Sequence, residues 1–353
     1  MNKGWLQWLA LLCWVACLAC KPGRQPDRGV YYWRTTFNPT PAEDSFVLRH
    51  RINKCYVKYL DIGWNPAAGA VPLSITRLPA FDRVNTVYGS MYRSGHWVPV
   101  VYITNDCFLN LPQDSLPALA HHIIRTIGAQ LEGQSARLDS LRELQIDCDW
   151  SRASHARYFR FLNLLKAQLK PRNIALSVTL RLHQYKYPVQ TGVPPADRCM
   201  LMLYNMGNVA RLSPVNSIYS DSLAGLYLDK VKPYPLPLDA VVPVYSWLTV
   251  YRNKKLLTLN RRYNETMLQD GAVFRSVTEG YVLRKDTVLH STLYKVGDLF
   301  KIERIGAGEL KAAAARIKQV SGNKTGTIAL YDLDESQISL SAYETIEHLF
   351  TGF

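Results

Sequence analysis

Beyond residue 20 the sequence has no Cys-x-x-Cys pair and no mixed Cys/His spacing of the kind that holds zinc. That excludes zinc-ribbon and zinc-finger architectures. No glycine-rich phosphate loop follows the first strand-like run, where Phe37-Asn38-Pro39-Thr40 stands instead. A dinucleotide-binding open sheet is therefore disfavoured. Ser177 and Ser246 lack a nucleophile-elbow context, which argues against a serine hydrolase. Acids are scarce beside bases, 28 against 42, giving a net charge of +14. The basic residues are nevertheless spread along the chain. Their densest clusters, Arg252-Asn253-Lys254-Lys255 and Arg261-Arg262, have no RNA-binding or zinc-finger signature beside them, so no nucleic-acid partner is expected.

What is present is a chain of 353 residues, nearly half of them hydrophobic, enough for a sizeable core. There are 21 tyrosines and 8 tryptophans. They suit either aromatic core packing or a groove lined with rings for a ligand such as a sugar. The first residues read as a targeting segment: Lys3, then an apolar stretch from Trp5 to Ala19 of signal-peptide length. Leu18-Ala19-Cys20 resembles a bacterial lipobox, which makes residues 1–19 a signal peptide and Cys20 the expected lipidation site. Cys17, preceded by Val15-Ala16, is the rival position, and an ordinary cleaved signal peptide is the alternative. Residues 20–28 then form a polar tether. The expectation is a lipid-anchored protein of the bacterial cell envelope, on its periplasmic or surface face. Four cysteines remain in the body, at positions 55, 107, 148 and 199, and no pairing among them is assigned.

Eight strand-like runs follow: 29–37, 55–62, 97–104, 143–149, 173–182, 200–206, 239–247 and 327–334. Helical patterns at 114–131, 155–169 and 222–231 lie between several of them, and one at 341–349 closes the chain. Eight strands alternating with helices predict a (β/α)8 TIM-like barrel over residues 29–353. The segment 249–321 is too long for a plain connection and predicts an insertion between strands seven and eight. It contains strand-like pieces at 272–277, 281–285 and 288–293, and a helix at 308–319.

The run Leu144-Gln145-Ile146-Asp147-Cys148-Asp149 carries the most chemistry. Side chains alternate along a strand, so Gln145, Asp147 and Asp149 share one face. Carboxylates at the C-terminal end of a barrel strand stand where barrels place their active sites. The carboxylates either contact a ligand or form structural hydrogen bonds inside the barrel. Asp332 and Asp334 end the eighth run on one face and could join them. Such a mouth could hold Ca²⁺ or Mg²⁺ through oxygen ligands, but a capped strand end in solvent accounts for the pair as well. No metal site and no cofactor are assigned. His121-His122 are adjacent on a helix and do not face one point. His183, after the fifth run, is close enough in sequence to reach the mouth.

Asp147-Cys148-Asp149 resembles part of the Asp-x-x-Asp-x-Asp-x-Glu motif of glycoside hydrolase family 18. Its middle and third Asp match Asp147 and Asp149. Its first Asp falls on Leu144, and its Glu, the family's general acid, falls on Ser151. Met202-Leu203-Tyr204-Asn205 looks like the family's Met-x-Tyr-Asp, with Asn205 in the Asp place. A closer likeness is to an uncharacterised bacterial domain-of-unknown-function family with this barrel. It is carried by residues 144–149, the aromatic pattern of 158–169, Leu176-Ser177-Val178-Thr179 and the Met202–Gly207 block. The resemblance implies Asp149 and Asp147 as catalytic candidates and Tyr204, Asn205 and Trp247 as carbohydrate contacts; Gln145, on the face of the acids, and Trp33 are further candidate contacts. Trp247 is expected at the mouth end of the seventh strand. Two functions stay open: a glycan-active hydrolase with a degenerate acid position, or a non-catalytic ligand-binding or structural lipoprotein. A hydrolase needs a second carboxyl about 5 to 9.5 Å from the first across the cleft.

Overall fold

The computed structural model describes residues 25–79, 96–133, 138–229, 231–289, 291–321, 325–338 and 343–352. The signal-like segment and Cys20 lie outside them. Eight parallel strands close into a barrel: β1 (Asp27–Tyr32), β2 (Lys54–Asn65), β4 (His96–Ile103), β5 (Glu143–Asp147), β6 (Ala175–Leu180), β7 (Arg198–Met202), β8 (Leu238–Pro243) and β16 (Thr327–Tyr331). β1 pairs with both β2 and β16, which completes the circle. β3 (Gly69–Ile75) runs antiparallel beside β2 as a hairpin. The fold is the expected (β/α)8 barrel with an insertion before its last strand.

Closure is tight between β1 and β16. A Cβ on Gly29 would come 2.9 Å from the Cβ of Ala329, so only glycine fits there. The apolar stripes bury as their spacing predicts. On helix His155–Leu169 these are Tyr158, Phe161, Leu162, Leu165 and Leu169; on helix Leu116–Glu132, Leu119, Ile123, Ile127 and Leu131. These faces meet the outer side of the strands in one large core. A separate core of Tyr31, Tyr56, Val98, Val100, Met200, Met202 and Val241 fills the barrel itself. His121 and His122 are exposed on their helix. Cys55, Cys107, Cys148 and Cys199 are buried thiols.

The N-terminal ends of the strands hold a buried ring of charge. Lys54 opens β2 and Glu143 opens β5, and they pair at 2.6 Å. Lys54 Nζ also donates to Thr327 at 3.3 Å. Arg198 Nε stands 3.1 Å from the buried Asp239 carboxylate. This bottom layer was not legible in the sequence, because its members come from five different strands.

Several expected boundaries are corrected; the sixth run, expected over 200–206, is β7 and ends at Met202. The first run was read to Phe37, but β1 ends at Tyr32. Beyond it Thr40 caps helix Pro41–Arg49, and Glu43 answers in a capping box. The fourth run was read to Asp149, but β5 ends at Asp147. The seventh run, read as 239–247, is two strands. The barrel strand β8 ends at Pro243, and Ser246 starts the insertion. The insertion therefore begins three residues early. Its five-stranded antiparallel sheet comprises β9 (Ser246–Arg252), β10 (Lys255–Asn260), β11 (Phe274–Val277), β12 (Gly280–Leu283) and β15 (Leu299–Arg304). The piece expected at 288–293 is a hairpin, β13 (Thr287–Leu289) and β14 (Thr292–Tyr294), turning at Ser291 in the left-handed region. Helix Ala307–Ser321 then returns to the barrel wall.

Candidate functional site

Asp147 is the last residue of β5 and lies beside Tyr102 of β4 in register. Its side chain is inside the barrel, and the residue is 7% exposed. Thr179 Oγ1 donates to Asp147 Oδ1 at 2.6 Å. Burial is the main reason its carboxyl titrates high, at about 6, and the nearby Asp149 charge adds to this; Thr179 and Arg181 oppose the rise. Gln145 sits two residues deeper and is fully buried. It accepts from the Tyr31 hydroxyl at 2.6 Å and donates to Ser177 at 3.3 Å. Tyr31 stacks on Tyr56 with centroids 4.6 Å apart. Gln145 is thus a floor residue beneath the acids, bonded to protein rather than open to a ligand.

Asp149 lies two residues beyond the strand end, and its side chain is 43% exposed. Arg181, just past β6, grips both of its oxygens, with Nε at 2.5 Å and Nη2 at 2.9 Å. A two-point fork of this kind fixes the carboxylate's orientation as well as its charge. The same guanidinium lies 5.9 Å from the Tyr204 ring centre. Tyr204 stacks on Tyr331, the last residue of β16, at 4.7 Å. Trp33 stands 5.9 Å from Tyr331 and 6.3 Å from Tyr31, with Lys58 Nζ 5.7 Å from its ring. Tyr245 meets Tyr204 edge-on and donates to Asn205 Oδ1 at 2.6 Å. Asn205 itself is exposed and has a positive φ of 53°, which asparagine tolerates better than most residues.

The mouth therefore brings together Asp147, Asp149, Tyr204, Asn205 and Trp33 of the expected set. Trp247 belongs to the insertion instead. Its indole N–H donates to buried Glu303 at 2.9 Å, and its ring lies 5.5 Å from Tyr245. It backs the aromatic wall from behind. The sequence reading missed Arg181, Tyr331, Tyr245 and Arg261. Arg181 lies inside the fifth apolar run and Tyr331 inside the eighth, so a rule that reads the last residues of every run as mouth residues would have found both.

The remaining acids of the mouth each have a partner. Asp61 accepts from Lys58 at 2.9 Å and Ser74 at 2.6 Å. Asp332 pairs with Arg261 from the insertion, whose guanidinium covers Tyr245 at 4.7 Å. Asp334 accepts from the backbone and hydroxyl of Ser336 at the start of a helical turn. Glu43 pairs with Arg34. Asp332 and Asp334 do not join Asp147 and Asp149 in one cluster. No group of three or more His, Cys, Asp or Glu able to hold a metal occurs among the described residues. At position 151 the serine N–H donates to Ser154 Oγ at 2.9 Å, and Ser154 in turn donates to Asn105 at 2.5 Å. His183 titrates low, chiefly because it is partly buried. It lines a cavity of about 190 Å³ with Arg181, Met202, Tyr204, Asn205 and Tyr227.

This is a (β/α)8 barrel with two acids and a ring-lined wall at its mouth. Among solved structures the chain is similar to a chitinase from Chromobacterium violaceum, at 13% identity and a TM-score of 0.53, over 92% of this chain and 98% of that one. It is similar to the spore cortex-lytic enzyme SleL of Bacillus megaterium, at 11% identity and 0.53, over 89% and 72%. A plant class V chitinase mutant from Cycas revoluta, solved in complex with (GlcNAc)3, is similar at 11% and 0.51, over 92% and 98%. At such identities the likeness is one of fold. No family model matches the chain, and no curated protein does.

Proposed function

We propose that this is a glycan-binding barrel protein of the bacterial cell envelope, held to a membrane through lipid on Cys20, with its ligand in the aromatic mouth. One observation carries the choice of binding over cleavage: Asp149, the outer acid of the β5 pair, is held by both oxygens in the Arg181 fork. A general acid must present an O–H to the leaving oxygen, and both Asp149 oxygens are instead taken up by guanidinium N–H donors. The resemblance to glycoside hydrolase family 18 puts the proton donor at position 151, and a serine stands there. Tyr204, Tyr331 and Trp33 supply ring faces of the kind that sugars stack against, beside polar groups that can fix orientation. The chitinase-like fold supports a carbohydrate as the ligand class. The lipid anchor is supported by the apolar stretch to Ala19 and the Leu18-Ala19-Cys20 sequence.

Hydrolysis is the second reading, and Asp147 is its support. No cation grips it, and its carboxyl titrates at about 6. A screen of the purified full-length protein against amino-sugar polymers decides between them, scoring retention on the polymer and release of reducing ends. Binding without release is expected. Turnover abolished by Asp147→Asn would establish the enzyme instead, and neither binding nor release would remove the carbohydrate reading.

A further inference from the structure

The cavity beside Arg181 is lined by hydrogen-bond donors, and no carboxylate lines it: Arg181, His183, Tyr204, Asn205 and Tyr227 provide its polar groups. Asp149 occupies only Nε and Nη2 of the guanidinium, leaving the Nη1 hydrogens without a protein partner among the described residues. Asn205 has its oxygen engaged by Tyr245, so its amide N–H₂ is the end left to give. Tyr204 is 95% buried by its 5% exposure, and its hydroxyl also has no partner among the described residues. Lys186 adds a second positive charge near the rim, 5.7 Å from the Tyr227 ring centre.

An acceptor with several lone pairs, such as a carboxylate with about four, suits this donor-rich hollow. Its volume of about 190 Å³ is below the roughly 300 Å³ at which whole-ligand sites begin, so it suits a substituent and not an oligosaccharide. We infer that this pocket receives a carboxylate carried on the sugar chain, so that the protein selects an acidic glycan over a neutral one. The inference rests on the glycan reading above. Arg181 Nη1 and the Asn205 amide would donate to the two carboxylate oxygens, with the Tyr204 hydroxyl as third donor.

Calorimetric titration of the full-length protein in detergent tests this with three probes of equal length. One is a strand alternating N-acetylglucosamine with its 3-O-lactyl derivative. The second is the same strand with the lactyl carboxyl reduced to an alcohol, and the third is a plain N-acetylglucosamine oligomer. The carboxylated strand is expected to bind at least about tenfold tighter than the reduced strand, equivalent to ~1.4 kcal/mol. Asn205→Asp and Arg181→Leu should each abolish that preference, read as the ratio of the affinities for the carboxylated and reduced strands. Equal binding of all three probes overturns the carboxylate inference and leaves the glycan reading standing. Binding of none overturns both. A preference that survives both substitutions places the selection elsewhere and refutes the pocket.

Discussion

Replacing Lys54 by methionine tests the buried charge ring most directly. Lys54 is 3% exposed and pairs at 2.6 Å with Glu143, which is also buried. Methionine fills much of the same volume but leaves the Glu143 carboxylate uncompensated, with its Oε1 already lacking a hydrogen bond. Removing one partner of a buried pair typically costs about 3–5 kcal/mol. Arg198 also feels the Glu143 charge and remains in place, which puts the loss near the lower end. At about 2–4 °C per kcal/mol for domains approaching this size, a loss of about 3 kcal/mol lowers the Tm by roughly 6–12 °C. Glu143→Met alone should be comparably harmful, because it strands the ammonium. The double substitution Lys54→Met with Glu143→Met should recover most of the loss, since an apolar pair carries no desolvation penalty. Circular dichroism melts, with guanidinium titrations on the same four proteins, give the cycle. A single-variant loss under about 1 kcal/mol, or a double variant weaker than either single, would refute the reasoning.

Three further outcomes are expected. Asp147 titrates at about 6 in the folded protein against about 3.9 unfolded, so its protonation stabilises the fold fully below pH ~4, and this is lost as pH rises through 6. Asp147→Asn keeps an acceptor for Thr179 without that titration, so its stability relative to the wild type should improve by about 2–3 kcal/mol from pH 4 to pH 7.5; an unchanged gap in urea titrations at the two pH values counts against it. Asp149→Asn weakens a partly exposed ion pair, so its stability cost should stay below about 1 kcal/mol. Its glycan affinity should fall at least about tenfold, because Arg181 loses its anchor, and a large Tm drop with intact affinity would make the pair purely structural. Metabolic labelling with a fatty acid should mark the wild type and spare Cys20→Ala; label that persists there and vanishes in Cys17→Ala moves the site three residues upstream.

By itself the sequence determined the class of fold and the row of acids. Alternation along residues 143–147 sets Gln145 and Asp147 on one face whatever the surroundings, because a strand's period is two. The helical stripe from Tyr158 to Leu169 is equally local, and it buries as its spacing demands. Local pattern could not say where the seventh strand stops. Residues 240–245 are continuously apolar, and only pairing with β16 up to Pro243, then with β15 from Ser246, divides the run and moves Trp247 into the insertion. Nor could it give Asp149 its partner. Arg181 lies 32 residues away, and the two meet because β5 and β6 are neighbours whose ends reach the same height. The same holds for Tyr204 against Tyr331, brought together across the mouth from β7 and β16. Periodicity is a property of consecutive residues, whereas the ionisation of an acid depends on charge and burial supplied by distant ones. The chain's local order thus settled which side chains face inward, and barrel closure decided which of them are clamped, which hold protons and which are left to meet a ligand.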